Sequence, residues 1–455
     1  MSGHERPRIV VVGGGLAGLA AGIAAADGGA SVRVMEAKKW LGGATASFER
    51  DGLVIDTGQH VFLRCCTAYR SFLDRLGVAD RTHVQPRMDI PVLSPNRRPA
   101  RLRRGRLPAP LHLASALATY PFLAMREKVA VARAALRLRT MDATDPSLDS
   151  QSFGSWLAAN HQSDGAVRYL WNLFALPTLN VSADRASLSL ALKVFRTGLL
   201  ERSDAADIGV PLVPLSRLHA EPASRALAAA GAEIHLGARV RRVLTDEDGV
   251  AGVALDDGAV DADAVIVAVP SERVSSLLPP GTFGDARDPS RLGSSPIVNV
   301  HVVYDRTVTP LPFAAAVDSP VQWVFDRTEP AGLRDGQYLA ISLSGADDVM
   351  DRPVEWFRQT FVPALEELFP PARSARVKKF LVTREPSATF RQEPGTAALR
   401  AGTITNVPGV FMAGAWTDTS WPATMEGAVR SGVAAAREAL VTLGRTDRLP
   451  AEVAA

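Results

Sequence analysis

Cysteine is nearly absent. The 455-residue chain has two, Cys65 and Cys66, and they are adjacent. Neighbouring cysteines suit neither an ordinary disulfide nor a CxxC zinc or redox site. A core must therefore hold the fold, and a reducing, cytosolic location is expected. The opening MSGHERPRIVVV lacks the charged n-region and cleavage site of a signal peptide. Long hydrophobic runs are missing too. The most apolar stretch, residues 107–123, contains Pro108, Pro110 and Pro121 and falls short of the ~20 residues that span a bilayer. Neither sign of charge dominates: 51 basic against 48 acidic residues leave +3, too little to imply nucleic acid. A pI near 9.0 still favours anionic surfaces. No HExxH or metal-spaced carboxylate cluster occurs, and no serine sits in G-x-S-x-G, which sets aside metal and acyl-transfer chemistry. No repeat or low-complexity linker interrupts the chain.

What is present is globular. Hydrophobic residues make up 47% and charged residues 22%, ordinary for a soluble protein. The length allows roughly two to four domains at about 150 residues each. The strongest local signal comes first: a β-branched run at residues 8–12, then Gly13-Gly14-Gly15-Leu16-Ala17-Gly18, an Ala-rich helix, and a second strand ending at Glu36. Gly13, Gly15 and Gly18 fit G-x-G-x-x-G in a βαβ unit. The first permits a tight turn, the second lets backbone approach a pyrophosphate, and the third lets helix and strand close up. Free N–H groups of the helix N-terminus, with Gly14, Leu16 and Ala17 among them, then face the phosphates. Glu36 is placed to accept a ribose hydroxyl. In this strand–turn–helix context the motif is specific.

Helical patterns follow at residues 125–139, 153–162, 164–175, 187–200 and 215–231. Strand-like runs fall at 233, 239–244, 264–269, 296–304, 321–325, 338–343 and 375–383. The end reads as strand 409–413, a loop, and helix 424–443. This order predicts an α/β protein with a discontinuous Rossmann-like domain from residues 1–80, 215–290 and 385–445. A mixed-sheet plus helical substrate domain is inserted from 81–214 and 291–384.

The second helix N-terminus selects FAD over NAD. Gly414 leads through a loop to Thr424, Met425 and a helix, which can aim N–H groups at the electron-rich edge of a flavin. Gly42-Gly43-Ala44 and the turn Gly58-Gln59 are further cofactor candidates. One G-x-G-x-x-G occurs, so a second dinucleotide domain for NADPH is not expected. Electrons then come from the substrate or from a separate donor, NADPH itself or a reductase.

In motif order the chain resembles the amine-oxidase/carotenoid-desaturase flavoprotein superfamily. The resemblance implies an FAD domain interleaved with a substrate domain, and gives Val240 a backbone contact to the adenine. Three segments resemble one branch, the squalene-associated FAD-dependent desaturases described as hydroxysqualene dehydroxylases. They are Asp56-Thr-Gly-Gln-His60 with the following Val-Phe-Leu-Arg-Cys-Cys, Leu107-Pro-Ala-Pro-Leu-His112, and residues 416–432 from Trp416-Thr-Asp418 through Trp421-Pro-Ala-Thr-Met-Glu. That branch implies reductive removal of the hydroxyl of a C30 isoprenoid alcohol, giving squalene toward hopanoids. Docking with prenyl synthases of the same pathway is a further possibility the branch raises. Two positions depart from the superfamily pattern: Ala44 stands where Arg or Lys is usual, and Ala415 where an acid is common. Asp418 is the expected substitute at the ribityl chain.

Such a reaction needs substrate orientation, a general acid for the departing hydroxide, and exclusion of water. His60 is the first acid or orienter to consider. Asp418 and Trp421 are the other candidates, Asp418 more as a cofactor ligand and Trp421 as a wall of the flavin face. Carotenoid-type desaturation or isomerisation is the nearest alternative, and amine oxidation a more distant one. Six arginines within 97–106, followed by the apolar 107–123, predict contact with an anionic membrane face. The competing reading is a solvated arginine hairpin beside a buried helix.

Overall fold

The computed structural model describes residues 6–284, 287–447 and 449–450. Five strands form a parallel sheet in the order Glu233–Leu236, Ser31–Glu36, Arg8–Val12, Ala264–Val267, Val410–Met412. Its central strands are apolar on both faces because helices cover both, so residues 9–12 and 264–267 are buried throughout. Helix Leu16–Asp27 crosses from the first strand to the second. It packs against helix Met425–Thr442 so closely that a Cβ on Gly432 would stand 2.2 Å from the Ala17 carbonyl oxygen. Small residues at that crossing let two backbones touch.

The second unit is a seven-stranded mixed sheet in the order Val377–Phe390, Ser294–Tyr304, Gln337–Ser344, Trp323–Asp326, Phe313–Ala316, Asp89–Leu93, Ala100–Arg103. Helix Val354–Leu368 covers one face, burying Phe357, Phe361 and Leu365 against Val298, Val300 and Ile341. A helical layer built from Met125–Thr140, Phe153–Ala159 and Leu188–Phe195 adjoins it. There Trp171 packs edge-on against Phe153 and Phe195 at 5.7 and 5.1 Å, and those two rings lie tilted at 5.2 Å. Strand Val377–Phe390 runs through the expected boundary at 384–385, so that division falls inside one strand of the larger sheet. The α/β class with a discontinuous parallel sheet and a separate mixed-sheet domain is the architecture observed.

The arginine segment is tied into the fold while several of its side chains stay exposed. Residues 89–93 and 100–103 form a hairpin on the sheet edge, and the arginines tie it down. Arg101 grips Asp89 with two bonds of 2.9 Å, and Arg103 lies 3.6 Å from the same carboxylate. Arg104 reaches the buried Asp207 at 2.6 Å, while Arg97 stacks over Tyr169 at 5.0 Å. Four of the six are thus engaged within the protein. Among the described residues no helix is long and apolar enough to cross a membrane.

Candidate functional site

A cavity of about 940 Å³ opens between the parallel sheet and the mixed sheet. At one end it is walled by Gly13, Gly15, Leu16, Ala17, Glu36 and Val240; along its middle by Gly42, Gly43, Ala44, Gly58, Gln59 and His60. Gly414, Trp421, Thr424 and Met425 close another side. Segments some 400 residues apart in sequence therefore meet around one space.

The glycines of the first turn divide the labour. A Cβ on Gly18 would lie 1.9 Å from the Gly13 carbonyl oxygen, and one on Gly13, whose φ is +109°, 2.4 Å from that of Ala268. These two are demanded by packing. A Cβ on Gly15 meets nothing nearer than 4.0 Å, yet Gly15 lines the cavity and precedes a helix with no side-chain cap. That is the cradle an incoming pyrophosphate needs. Gly14 donates its N–H to Glu36 at 2.7 Å and Lys38 donates to the other oxygen of the same carboxylate at 2.7 Å. Glu36 is thereby aimed by backbone. Neither Gly14 nor Gly18 lines the cavity; both support it. The buried Gln59 side-chain amide nitrogen has no partner among the described residues, as a group meant for a bound cofactor would.

The Asp56–His60 turn is fixed from beneath. Asp56 is buried and accepts from Arg327 at 2.7 Å, Ser47 at 2.6 Å and the Leu215 N–H at 2.9 Å. Thr57 donates to the Ala44 carbonyl at 2.7 Å, clamping this turn to the Gly42–Ala44 loop, and Asn299 donates to the Thr57 carbonyl at 3.3 Å. The His60 Nδ1 lies 3.2 Å from the Gly58 carbonyl. Burial lowers the pKa of His60 and outweighs the stabilising Gly58 contact. The ring is therefore neutral near pH 7, donates from Nδ1, and offers Nε2 as an acceptor. Of the acid and orienter roles expected of His60, a neutral ring suits the orienter or acceptor.

Asp418 also needs correction. It is exposed, lies outside the cavity walls, and accepts from Ser420 N–H at 3.3 Å within its own turn. The loop that carries it is held by a residue the sequence reading missed. Arg400, 3% exposed, donates to the carbonyls of Trp416, Thr417 and Trp421, and burial lowers its pKa to about 10. Its guanidinium fills the loop, which leaves the Asp418 side chain facing out.

Trp421 does line the cavity. Both the Lys193 ammonium (4.9 Å) and the Arg430 guanidinium (4.8 Å) lie over its ring, and its indole nitrogen is buried without a partner among the described residues. Glu426, from the Met-Glu-Gly segment, pairs with Arg430 at 2.7 Å and accepts from the N–H groups of Ala68 and Tyr69 at 3.1 and 2.8 Å. It docks helix Thr67–Arg75 beside the site. Cys65 and Cys66 line the cavity as free thiols. The hydrogen bond between them lowers the Cys65 pKa and raises that of Cys66. Asp56 and Glu426 lie inside quoted motifs and were open to sequence reading; Arg327 and Arg400 stand alone and carried no signal.

Beyond the cofactor cradle the cavity turns apolar, bounded by Leu63, Ile90, Phe174, Phe313, Trp323 and Phe325. Met88, Phe174 and Leu199 are shared with a smaller cavity of about 210 Å³ whose walls are almost wholly apolar. That side cavity reaches Leu111 and Leu136, which are more than half exposed. The two apolar spaces thus adjoin across Met88, Phe174 and Leu199, and the smaller one reaches toward one surface.

Cradle, second helix and two-domain fold together define an FAD-dependent oxidoreductase. A profile for flavin-containing amine oxidoreductases matches residues 16–440, and the chain belongs to that family. Hydroxysqualene dehydroxylase of Rhodopseudomonas palustris is 30% identical over 444 residues, covering 94% of this chain and 96% of that protein. The 15-cis-phytoene desaturase of Synechococcus elongatus is 24% identical, with 97% of each chain covered. Among solved structures, putrescine oxidase shares the fold at a TM-score of 0.73 and 22% identity, covering 96% of this chain and 99% of the other. Cyclohexylamine oxidase of Brevibacterium oxydans does so at 0.74 and 19%, covering 97% and 100%.

Proposed function

We propose that the protein removes the hydroxyl of hydroxysqualene reductively, giving squalene, with electrons entering from a separate donor. The observation that carries this reading is the apolar part of the cavity, walled by Leu63, Ile90, Phe174, Phe313, Trp323 and Phe325 and joined to the FAD cradle. Full-length similarity to a hydroxysqualene dehydroxylase supports it. Bound FAD supplies a two-electron redox centre. The chain's own residues bind and orient: the Gly15 turn and Glu36 hold the dinucleotide end, the Thr57–His60 turn and Met425 helix start flank the ring end, and the apolar wall excludes water that would recapture a cation. Reduced protein mixed anaerobically with hydroxysqualene is expected to reoxidise with stoichiometric squalene. Flavin that stays reduced over unchanged substrate overturns the reading, and oxidised protein against polyenes then tests desaturation.

A hydrocarbon substrate resides in lipid, and on this reading one surface contacts an anionic bilayer. Its support lies on helix Met125–Thr140, where Met125, Val129 and Leu136 are exposed at helical spacing. Arg126, Arg133 and Arg137 stand exposed beside them, and the side cavity opens nearby. Apolar side chains flanked by arginines match an anionic interface.

A further inference from the structure

The mechanism above leaves the proton unassigned. His60 is neutral and Asp418 faces solvent, so the departing oxygen needs another donor.

Lys193 is the remaining ammonium in the inner part of the cavity. It lies on helix Leu188–Phe195, which runs directly into a π-helical turn, Arg196–Leu200, a feature common at functional sites. It is half-buried, lines the cavity, and has no hydrogen-bonded or ion-paired partner among the described residues. The charged and titratable groups around it are Arg430, Glu201, Cys65 and Arg196. The one carboxylate among them, Glu201, is engaged with Arg196 at 2.7 Å, and Glu426 is engaged with Arg430 at 2.7 Å. What Lys193 does touch is the face of Trp421, whose own buried N–H lacks an acceptor. Lys193 and Trp421 thus both line the cavity, each with a donor that has no acceptor among the described residues.

We propose that Lys193 gives its proton to the hydroxyl oxygen of the substrate while the Trp421 indole N–H holds that oxygen. This rests on the dehydroxylase reading. The C–O bond breaks with both electrons on oxygen, which leaves as water carrying the Lys193 proton. The reduced FAD that the cradle would hold would supply the hydride, a hydrogen with its electron pair, that makes the new C–H bond, and the neutral amine recovers a proton from solvent. Burial and Arg430 both lower the lysine pKa, which eases loss of the proton inside the cavity. Releasing it also removes a positive charge from beside the carbon where positive charge develops.

Two measurements test this on the FAD-loaded protein. Lys193 is one of six lysines in the chain, so ¹³C-methyl labelling of lysines gives a resolvable titration by NMR. One resonance is expected to titrate below the other five and to vanish in Lys193→Arg. Six resonances titrating together overturn the proposal. In single-turnover assays with hydroxysqualene, Lys193→Met and Lys193→Arg are expected to slow squalene formation about 10²-fold or more, the range of a lost general acid. FAD content should stay at the wild-type level, and the alkaline limb of the pH–rate profile should disappear. Variants within threefold of wild type overturn the Lys193 assignment alone. Wild-type enzyme that makes no squalene overturns the substrate reading and this assignment with it.

Discussion

Gly15→Ala separates the cofactor's needs from the fold's. Gly15 has φ −74° and ψ 178°, a conformation alanine adopts freely, and the added methyl meets nothing nearer than the Gly43 Cα at 4.0 Å. Two small effects act on the apo-protein. Reduced freedom of the unfolded chain contributes ~0.4–1 kcal/mol of stability, and alanine is poorer than glycine at a helix N-cap by a similar amount. Apo-protein stability should therefore stay within about 1 kcal/mol of wild type. The methyl nevertheless stands where the pyrophosphate must approach the backbone. Loss of one charge-assisted hydrogen bond is worth about 1.5–3 kcal/mol, or roughly ten- to hundredfold in Kd. Deflavinated protein titrated with FAD, followed by flavin fluorescence, reads the affinity; urea unfolding reads the fold. Affinity within threefold of wild type would refute the placement of the pyrophosphate at Gly15. Gly18→Ala is the contrast: its methyl would meet the Gly13 carbonyl at 1.9 Å, and soluble protein is not expected.

Other perturbations follow from the same geometry. Asp56→Asn strands the buried Arg327 charge and should cost about 3–5 kcal/mol in denaturant unfolding; a loss under 1 kcal/mol contradicts the role given to that pair. His219 and His301 are buried with pKa values lowered from 6.5 to about 3. Between those values the unfolded chain binds more protons than the folded one, so stability falls as pH drops below 6.5. At pH 5 each histidine accounts for about 2 kcal/mol relative to pH 8. Unfolding curves that do not weaken between pH 7 and 5 would contradict this. Asp418→Ala should retain FAD at the wild-type level, which absorbance of the purified variant checks. Val129→Glu with Leu136→Glu should abolish flotation with anionic vesicles at low salt while leaving flavin content intact; binding equal to wild type rules out that surface.

The parts of the fold that sequence made legible are those where one residue type has one physical use. Glycines at 13, 15 and 18 between a strand and a helix admit few readings, and the buried strand at 264–267 declares itself by its β-branched Val-Ile-Val run. The arginine segment was ambiguous because a charged side chain reads alike whether it faces solvent or a partner. Asp89 and Asp207, which engage Arg101 and Arg104, lie 12 and 103 residues away, and nothing local marks the longer pairing. Asp418 misled for a related reason: a carboxylate beside a cofactor loop looks like a ligand until the loop's interior is seen to be filled by Arg400. Lys193 was invisible because a lysine in an amphipathic helix ordinarily faces water.

The close crossing of helices Leu16–Asp27 and Met425–Thr442 has a consequence for biosynthesis. The first helix is made early, but the wall that includes Gly414, Thr424 and Met425 is translated near the end. A nascent chain lacking that segment holds half a cradle. Cofactor loading is thereby deferred until translation is nearly complete, and a premature stop anywhere before residue 425 yields an apoprotein rather than a smaller enzyme.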